Sequence, residues 1–129
     1  MSHFSTVKTE LRDRTALLAA LTDLGHEPQE GALSVRGYRG QTQTAELAIG
    51  QSNGADIGFR LNPATGCYEL VTDLELWTQS VPVERFLAQL NQRYALRSIL
   101  AASAEEGFQV AEQSNSLDGT IELVVTRWA

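Results

Sequence analysis

Few side chains in this sequence are of the types that hold a metal ion or attack a substrate. His3 and His26 are the only histidines, and Cys67 is the only cysteine. These three residues lack the number and spacing of a zinc or iron–sulfur site. Cys67 falls in a predicted strand, where a small core residue is the expected role. We therefore predict no metal, no cofactor and no catalytic residue, and a protein that is not an enzyme is favoured.

Carboxylates and arginines offer the remaining acid–base or ligand-binding chemistry. Asp56 and Asp73 lie at the ends of predicted strands, whereas Arg36 lies in a loop and Arg93 in a helix. If these four side chains converged in one cleft, a carboxylate with a shifted pKa could act on a small ligand there. Aspartates at strand ends more often form turns or pair with arginine. Pairing of Arg93 with Asp56 or Asp73 is therefore the simpler interpretation, and the polar pocket is the alternative.

Two short segments have the composition of partner-binding surfaces. Arg36-Gly37-Tyr38-Arg39-Gly40 matches neither a phosphate-binding loop nor a dinucleotide fingerprint. A turn flanked by solvated arginines is favoured, and an anion or partner contact with Tyr38 as its anchor is the alternative. Gln92-Arg93-Tyr94 lies in a long helical region and either satisfies backbone groups or lines a groove. Trp77 is expected to be a core residue before it is a binding hot spot. The candidate binding residues are Arg36, Tyr38, Asp56, Asp73, Trp77, Gln92, Arg93 and Tyr94.

These residues are carried by a predicted α+β fold. A strand over Ser2 to Leu11 precedes a helix that begins after the cap Asp13 and ends at Gly25. A brief strand over residues 33–35 and an irregular loop lead into an antiparallel meander over roughly residues 44–72. Residues 108–113 and 120–128 form a final hairpin with Asp118-Gly119 in the turn. This order predicts a mostly antiparallel sheet with helices packed on one face, in a single domain over residues 1–129.

A long helical region opens at Ser80 and Pro82. It carries two apolar stripes that are out of phase: Val83, Phe86, Leu87, Leu90 and Tyr94 form the first, and Leu96, Ile99 and Leu100 form the second. One straight helix would place these stripes on different faces. Either the helix is unusually buried, or it bends or divides in two, and we favour a break or kink near residues 91–95.

Composition excludes several classes of function. The chain has 129 residues, 43% of them hydrophobic, which is about one domain with an ordinary core. Its net charge is −6 and Lys8 is its only lysine, whereas nucleic-acid binding requires a basic face. No segment approaches the ~20 apolar residues needed to span a bilayer. Residues Met1-Ser2-His3-Phe4 are not the start of a secretory signal. We therefore expect no nucleic-acid partner and no membrane span.

Short motifs follow one another in a specific order along the chain: Ser2-His3-Phe4, Arg36-Gly37-Tyr38, Asp56-Ile57-Gly58-Phe59, Tyr68-Glu69-Leu70-Val71, Asp73 with Trp77, Gln92-Arg93-Tyr94-Ala95, Gly107-Phe108 and Arg127-Trp128. In this order and spacing the sequence resembles, from end to end, the hypothetical chloroplast reading frame 35 family. That family occurs in cyanobacteria and some algal plastids and has no known function, so no catalytic residue is carried over. The resemblance implies a cyanobacterial cytoplasmic or plastid stromal protein linked to photosynthetic housekeeping. Ala55 departs from the aromatic residue expected before Asp56.

The sequence therefore favours a non-catalytic binding, assembly or accessory factor that engages a protein partner. The acidic charge, the missing catalytic constellation and a terminal hairpin with apolar residues on both faces motivate this prediction. A small-ligand-binding protein or enzyme that uses the Arg/Asp pocket is one alternative. A homo-oligomer assembled through the hairpin is another.

Overall fold

The computed structural model describes residues 2–105, 108–115 and 121–127, the last two segments by their backbone alone. The predicted turn at Asp118-Gly119 and Trp128 lie outside these residues. The elements in chain order are β1 (Ser5–Lys8), α1 (Arg14–Asp23), β2 (Gln29–Arg36), β3 (Thr42–Gly50), β4 (Asp56–Asn62), β5 (Cys67–Thr72), α2 (Val83–Glu105), β6 (Phe108–Asn115) and β7 (Ile121–Arg127). Short 3-10 turns cover Tyr38–Gly40 and Leu74–Leu76. The predicted α+β class and order of elements are confirmed.

Five strands form one antiparallel sheet in the order β1-β5-β4-β3-β2. The predicted meander is present, since β3, β4 and β5 are neighbours in space as they are in sequence. β1 then pairs with β5, with Ser5 opposite Thr72. β6 and β7 form a separate antiparallel pair, as the sequence predicts for the final hairpin. From β2 to β5, each strand pairs with the next strand in sequence. Such short connections favour antiparallel pairing.

Both helices pack on one face of the sheet. Asp13 begins α1 by accepting from the amides of Thr15 and Ala16 at 2.9 and 3.3 Å, and Gly25, with φ of 89°, follows its end. The side chains between helices and sheet alternate along the strands and repeat every turn along the helices. They are Leu17, Ala20 and Leu21 from α1, Leu47, Ile49, Ile57, Phe59, Tyr68 and Leu70 from the strands, and Phe86 and Leu90 from α2.

α2 is one continuous helix from Val83 to Glu105, so the break expected near residues 91–95 does not form. The two apolar stripes lie in different surroundings. Phe86 and Leu90 belong to the core beneath the helix, whereas Leu96 is buried further along and Ile99 is 46% exposed. The second stripe is partly exposed to solvent. The helix therefore does not need to bend to pack this stripe against the core that contains Phe86 and Leu90.

Two strand boundaries differ from the prediction. β1 is limited to Ser5–Lys8 because only these residues pair with β5. β2 spans eight residues instead of the expected three, because it pairs with β3 on both sides of an irregularity between Glu30 and Leu33. Gly31 lies within that irregularity with φ of 132°. A glycine that bulges a strand has the same sequence signature as a glycine that ends one.

Residues 33–45 form an arm that crosses the helix-free face of the sheet. β3 pairs with β4 only from Leu47 onward, and the amide of Leu61, the next free amide along β4, donates to the Glu46 carboxylate at 2.9 Å instead. Gly58 alternates with core residues of β4, so it faces away from the helices, and a Cβ on it would overlap Cγ2 of Val35. Val35 forms a second apolar cluster with Ala45, Ala48, Phe4 and Leu33.

We predict that Gly58→Ala destabilises the fold by about 1–3 kcal/mol, because the added methyl group forces Val35 and the arm away from β4. Gly50→Ala is the matched control, since its Cβ would lie 3.6 Å from Asp56 Oδ1, an ordinary contact. Urea denaturation of both variants measures the difference. Equal stability of the two variants would show that the arm does not press on Gly58.

Candidate partner-binding site

An ion pair between an exposed arginine and a buried carboxylate fixes the base of the arm, residues 35–37. Arg36 Nε donates to Asp56 Oδ2 and Arg36 Nη2 to Asp56 Oδ1, both at 2.9 Å, and the Arg36 amide donates to Oδ2 at 2.8 Å. The Asp56 side chain is only 8% exposed, while that of Arg36 is 60% exposed. Two sequence-predicted site residues are therefore brought together, and the carboxylate holds both the side chain and the backbone of the arm.

Opposing effects act on the pKa of Asp56. Burial alone raises the pKa of a carboxyl group, whereas the hydrogen bonds from the side chain and backbone of Arg36 lower it. The net pKa of Asp56 is lowered, and the hydrogen bond to Asp56 raises the pKa of Arg36. Both groups are therefore charged at neutral pH, and the pair persists under physiological conditions.

The N-terminal segment supports the arm at the next residue. The Phe4 ring lies against Gly37, and a Cβ at Gly37 would come within 2.7 Å of Phe4 Cζ. Val35, Arg36 and Gly37 thus have three consecutive anchors, which are an apolar contact, an ion pair and a ring contact. This succession fixes the direction in which the chain leaves the sheet.

The tip of the arm, residues 38–40, differs from its base. Arg39 has φ 49° and ψ 48°, a left-handed conformation that costs a non-glycine residue about 1–2 kcal/mol. Its guanidinium lies 5.2 Å from the centre of the Tyr38 ring. Within the described part of the chain, no carboxylate lies within 4 Å of Arg39. The tip therefore offers a partly exposed aromatic side chain and an exposed cationic one on a strained turn.

Asp73 and Trp77 have structural roles. Asp73, which is 1% exposed, caps the 3-10 turn after β5 by accepting from the Glu75 amide at 3.1 Å, while its Oδ2 has no partner among the described residues. Trp77 donates its indole N–H to the Val81 carbonyl at 2.7 Å and packs edge-on against Phe86. Trp77 therefore packs against the core, as the sequence predicts.

The remaining predicted residues lie on α2. Arg93 donates to Asp23 at 3.2 Å, so its expected pairing with Asp56 or Asp73 is wrong. The Tyr94 hydroxyl accepts from the amides of Arg12 and Asp13 at 3.1 and 2.9 Å, and Gln92 is half-buried beside them on the helix. Arg93 and Tyr94 therefore join α2 to the two ends of α1. These contacts lie between the two helices, on the opposite side of the sheet from the arm.

Sequence reasoning missed Asp23 and Arg97. Arg97 Nε donates to Asp23 Oδ2 at 2.7 Å, so one carboxylate at the end of α1 serves two arginines. The hydrogen bond from Arg97 is the largest cause that lowers the pKa of Asp23. The spacing of Arg93 and Arg97, four residues apart on one helix, was the available signal. Their shared acceptor lies about seventy positions earlier and has no local signature.

The four side chains of the predicted Arg/Asp pocket do not converge. Arg36 and Asp56 pair under the arm, Asp73 caps a turn, and Arg93 pairs with Asp23 at the helices. The recess beside Arg36 and Asp56 has a volume of about 180 Å³, below the usual ~300–1,000 Å³ of small-molecule pockets. Among the residues that the structure describes, no three His, Cys, Asp or Glu side chains are grouped to hold a metal ion. No helix in the same residues has the length and apolarity to cross a membrane.

Comparison with known proteins agrees with the motif order. Residues 20–124 match the family model described as protein of unknown function, DUF1257. The chain belongs to this family. It is 40% identical to the uncharacterized protein ycf35 of Cyanophora paradoxa, 41% to that of Guillardia theta and 38% to that of Pyropia yezoensis. Each alignment covers 99% of this chain and 98% of the relative.

The predicted family resemblance is thus confirmed, and it agrees with a plastid or cyanobacterial origin. No solved structure matches the chain. The names of the relatives state no activity, so any function has to be inferred from the geometry of this chain.

We predict that Asp56→Asn destabilises the fold by about 2 kcal/mol at pH 7, less than a fully buried pair because Arg36 is partly exposed. Since the folded pKa of Asp56 lies below its unfolded value of about 3.9, the pair stabilises the fold above that pH. This contribution is lost as the pH falls through the folded pKa. Urea denaturation from pH 7 to pH 2 should therefore show the wild type approaching the variant. Glu30→Gln makes the same carboxylate-to-amide change, removes only a 4.0 Å surface pair with Arg14, and should change little at any pH.

We also predict that Tyr94→Phe lowers the free energy of unfolding by about 1–2 kcal/mol, because two amides lose their common acceptor. Tyr38→Phe removes a hydroxyl that makes no hydrogen bond to the described residues and should change stability by less than about 0.5 kcal/mol. Thermal unfolding of the pair compares a structural tyrosine with one at the tip. An equal loss in both variants would contradict this division.

Proposed function

We propose that this protein is a non-catalytic binding or assembly factor that engages a protein partner through the tip of its arm. The observation that carries the proposal is the contrast between base and tip. Val35, Arg36 and Gly37 are held by Gly58, Asp56 and Phe4. The adjacent Arg39 is exposed and Tyr38 is partly exposed, and neither side chain has a hydrogen bond or ion pair with the described residues. A turn that is supported on its N-terminal side by such contacts loses little conformational freedom on binding.

The residue types at the tip support a protein partner. Tyrosine and arginine are enriched among the side chains that dominate protein–protein binding energy, because each combines apolar area with directed hydrogen bonds. The strained conformation of Arg39 is of the kind that clusters at binding sites. The Arg/Asp pocket alternative has less support, since its four side chains lie in separate interactions.

We also propose a cellular setting for the protein, which is the cyanobacterial cytoplasm or the plastid stroma. There it would take part in a process that accompanies photosynthesis. Relatives named ycf35 that match almost the whole chain support the placement. The link to photosynthetic housekeeping rests on where the family occurs, which is an argument from association.

A capture experiment tests the proposal. The protein carrying an affinity tag is expressed in its native cell at its native level, and co-purifying proteins are quantified by mass spectrometry. We predict that one partner is recovered in stoichiometric amount and that Tyr38→Ala reduces its recovery about tenfold, because a binding loss of ~1.4 kcal/mol corresponds to that factor. Trp77→Ala is unsuitable as a probe because it would damage the core.

Ile99→Ala is the matched control, since it removes a 46% exposed apolar side chain from α2 rather than from the arm. It should leave the recovery of the partner unchanged. Recovery of the bait alone by the wild type would refute the proposal. Equal losses in both variants would refute the arm as its site.

A further inference from the structure

We infer that the arm tip enters a recess on the partner protein that contains a carboxylate, and that Arg39 pairs with this carboxylate. The inference rests on the proposed function and adds the chemistry of the partner. Its starting point is the ion pairing of this acidic chain, which has 16 acidic and 10 basic residues. Most arginines of the described part use one of these carboxylates: Arg14, Arg36, Arg60, Arg93 and Arg97.

Arg39 lacks such a partner in the described residues although acidic side chains are in excess. The adjacent Arg36 does not share its carboxylate, because Asp56 is occupied by the side chain and amide of Arg36. Arg12 and Arg85 are also exposed without an ion pair in the described residues, but Arg12 donates to a backbone carbonyl at 2.9 Å and Arg85 lies on a regular helix. Among the described side chains, only Arg39 combines an unpaired guanidinium with a left-handed backbone. The fold thus holds this charge outward at a position where glycine would be less strained.

The backbone gives no reason for an arginine at this position. Gly40, the next residue, has φ of 76°, so two consecutive residues carry positive φ where the arm reverses direction. A glycine in place of Arg39 would make the same turn without a Cβ penalty. The guanidinium is kept near the Tyr38 ring, which limits its rotamers before binding. This preorganisation suits a directed contact better than diffuse attraction.

The number of charges selects the class of ligand. One uncompensated guanidinium forms a bidentate pair with one carboxylate. A nucleic acid would present a row of phosphates to a chain of net charge −6, and its affinity requires several cations. At physiological ionic strength, charges beyond about 8 Å are largely screened, so the local tip decides which group it contacts. A single carboxylate within a protein recess fits the one exposed guanidinium of this turn.

Four variants test the inference in the capture experiment. Arg39→Glu should reduce recovery of the partner at least tenfold, and Arg39→Lys should retain part of it because it keeps the charge without the planar fork. Arg39→Gly should lose binding while the unfolding temperature rises by about 2 °C, since strain is removed. Arg85→Glu makes the same change of charge on α2 and should bind like the wild type. A purely structural role for Arg39 would not produce a more stable variant that binds less.

A photo-cross-linker identifies the chemistry of the contact directly. Thr42 is exposed beside the tip, so p-benzoylphenylalanine placed there should join the arm to the partner segment that it touches. Mass spectrometry of the cross-linked peptide is expected to find Asp or Glu in that segment. A segment without carboxylates, or a cross-link to nucleic acid, would overturn the inference. Recovery unaffected by Arg39→Glu would overturn the inference alone, whereas a wild type that recovers no partner would overturn the proposed function as well.

Discussion

The close crossing of the arm over β4 is the constraint on which the candidate site depends. The Val35 side chain contacts β4 at Gly58 so closely that a Cβ on Gly58 would not fit. The backbone of β4 therefore packs directly against the second apolar cluster. Asp56, two residues earlier on the same strand, captures Arg36. β4 thus provides both the apolar contact at Gly58 and the charged partner Asp56. These residues lie two positions apart, so they face the same side of the sheet.

This crossing also explains how a thin sheet is covered on two sides. The helices bury one face, where large residues such as Phe59 and Leu70 meet α1 and α2. On the opposite face, the residues under the arm include the small Gly58 and Ala48, and they are covered by the arm and by Phe4. Small side chains on one face allow close backbone approach, whereas large ones on the other fill the space between helix and sheet. The unequal sizes of the two layers follow from this difference.

Charged groups divide into those that hold the fold together and those that remain available. Asp23 joins two arginines of α2 to the end of α1, and Asp56 fixes the arm. Asp56 is buried and Asp23 largely so, and each accepts from several donors, which makes the loss of hydration tolerable. Arg39 is outside both networks and stands on a strained turn. The base of the arm is thus held by internal contacts, whereas its tip carries backbone strain.

Local sequence signals specified much of the fold. Asp13 and Gly25 bounded α1, the alternation of Ile57 and Phe59 identified β4, and turn residues separated the strands of the meander. The same kind of signal misjudged α2, because two apolar stripes out of phase do not show that one of them lies partly in solvent. It also shortened β2, because a bulge and a strand end have the same glycine signature.

The chemistry of the candidate site was visible only in part. The sequence by itself determined the supply of groups: one cysteine, two histidines and scattered arginines in an acidic chain of this family. Tertiary structure alone decided which groups pair. Asp56 pairs with Arg36 at a sequence separation of 20 residues, and Asp23 pairs with Arg93 at a separation of 70. Periodicity reports which face a residue occupies within its own element, whereas an ion pair depends on how distant elements cross. That crossing is set by the sizes of side chains on both, as Gly58 and Val35 show.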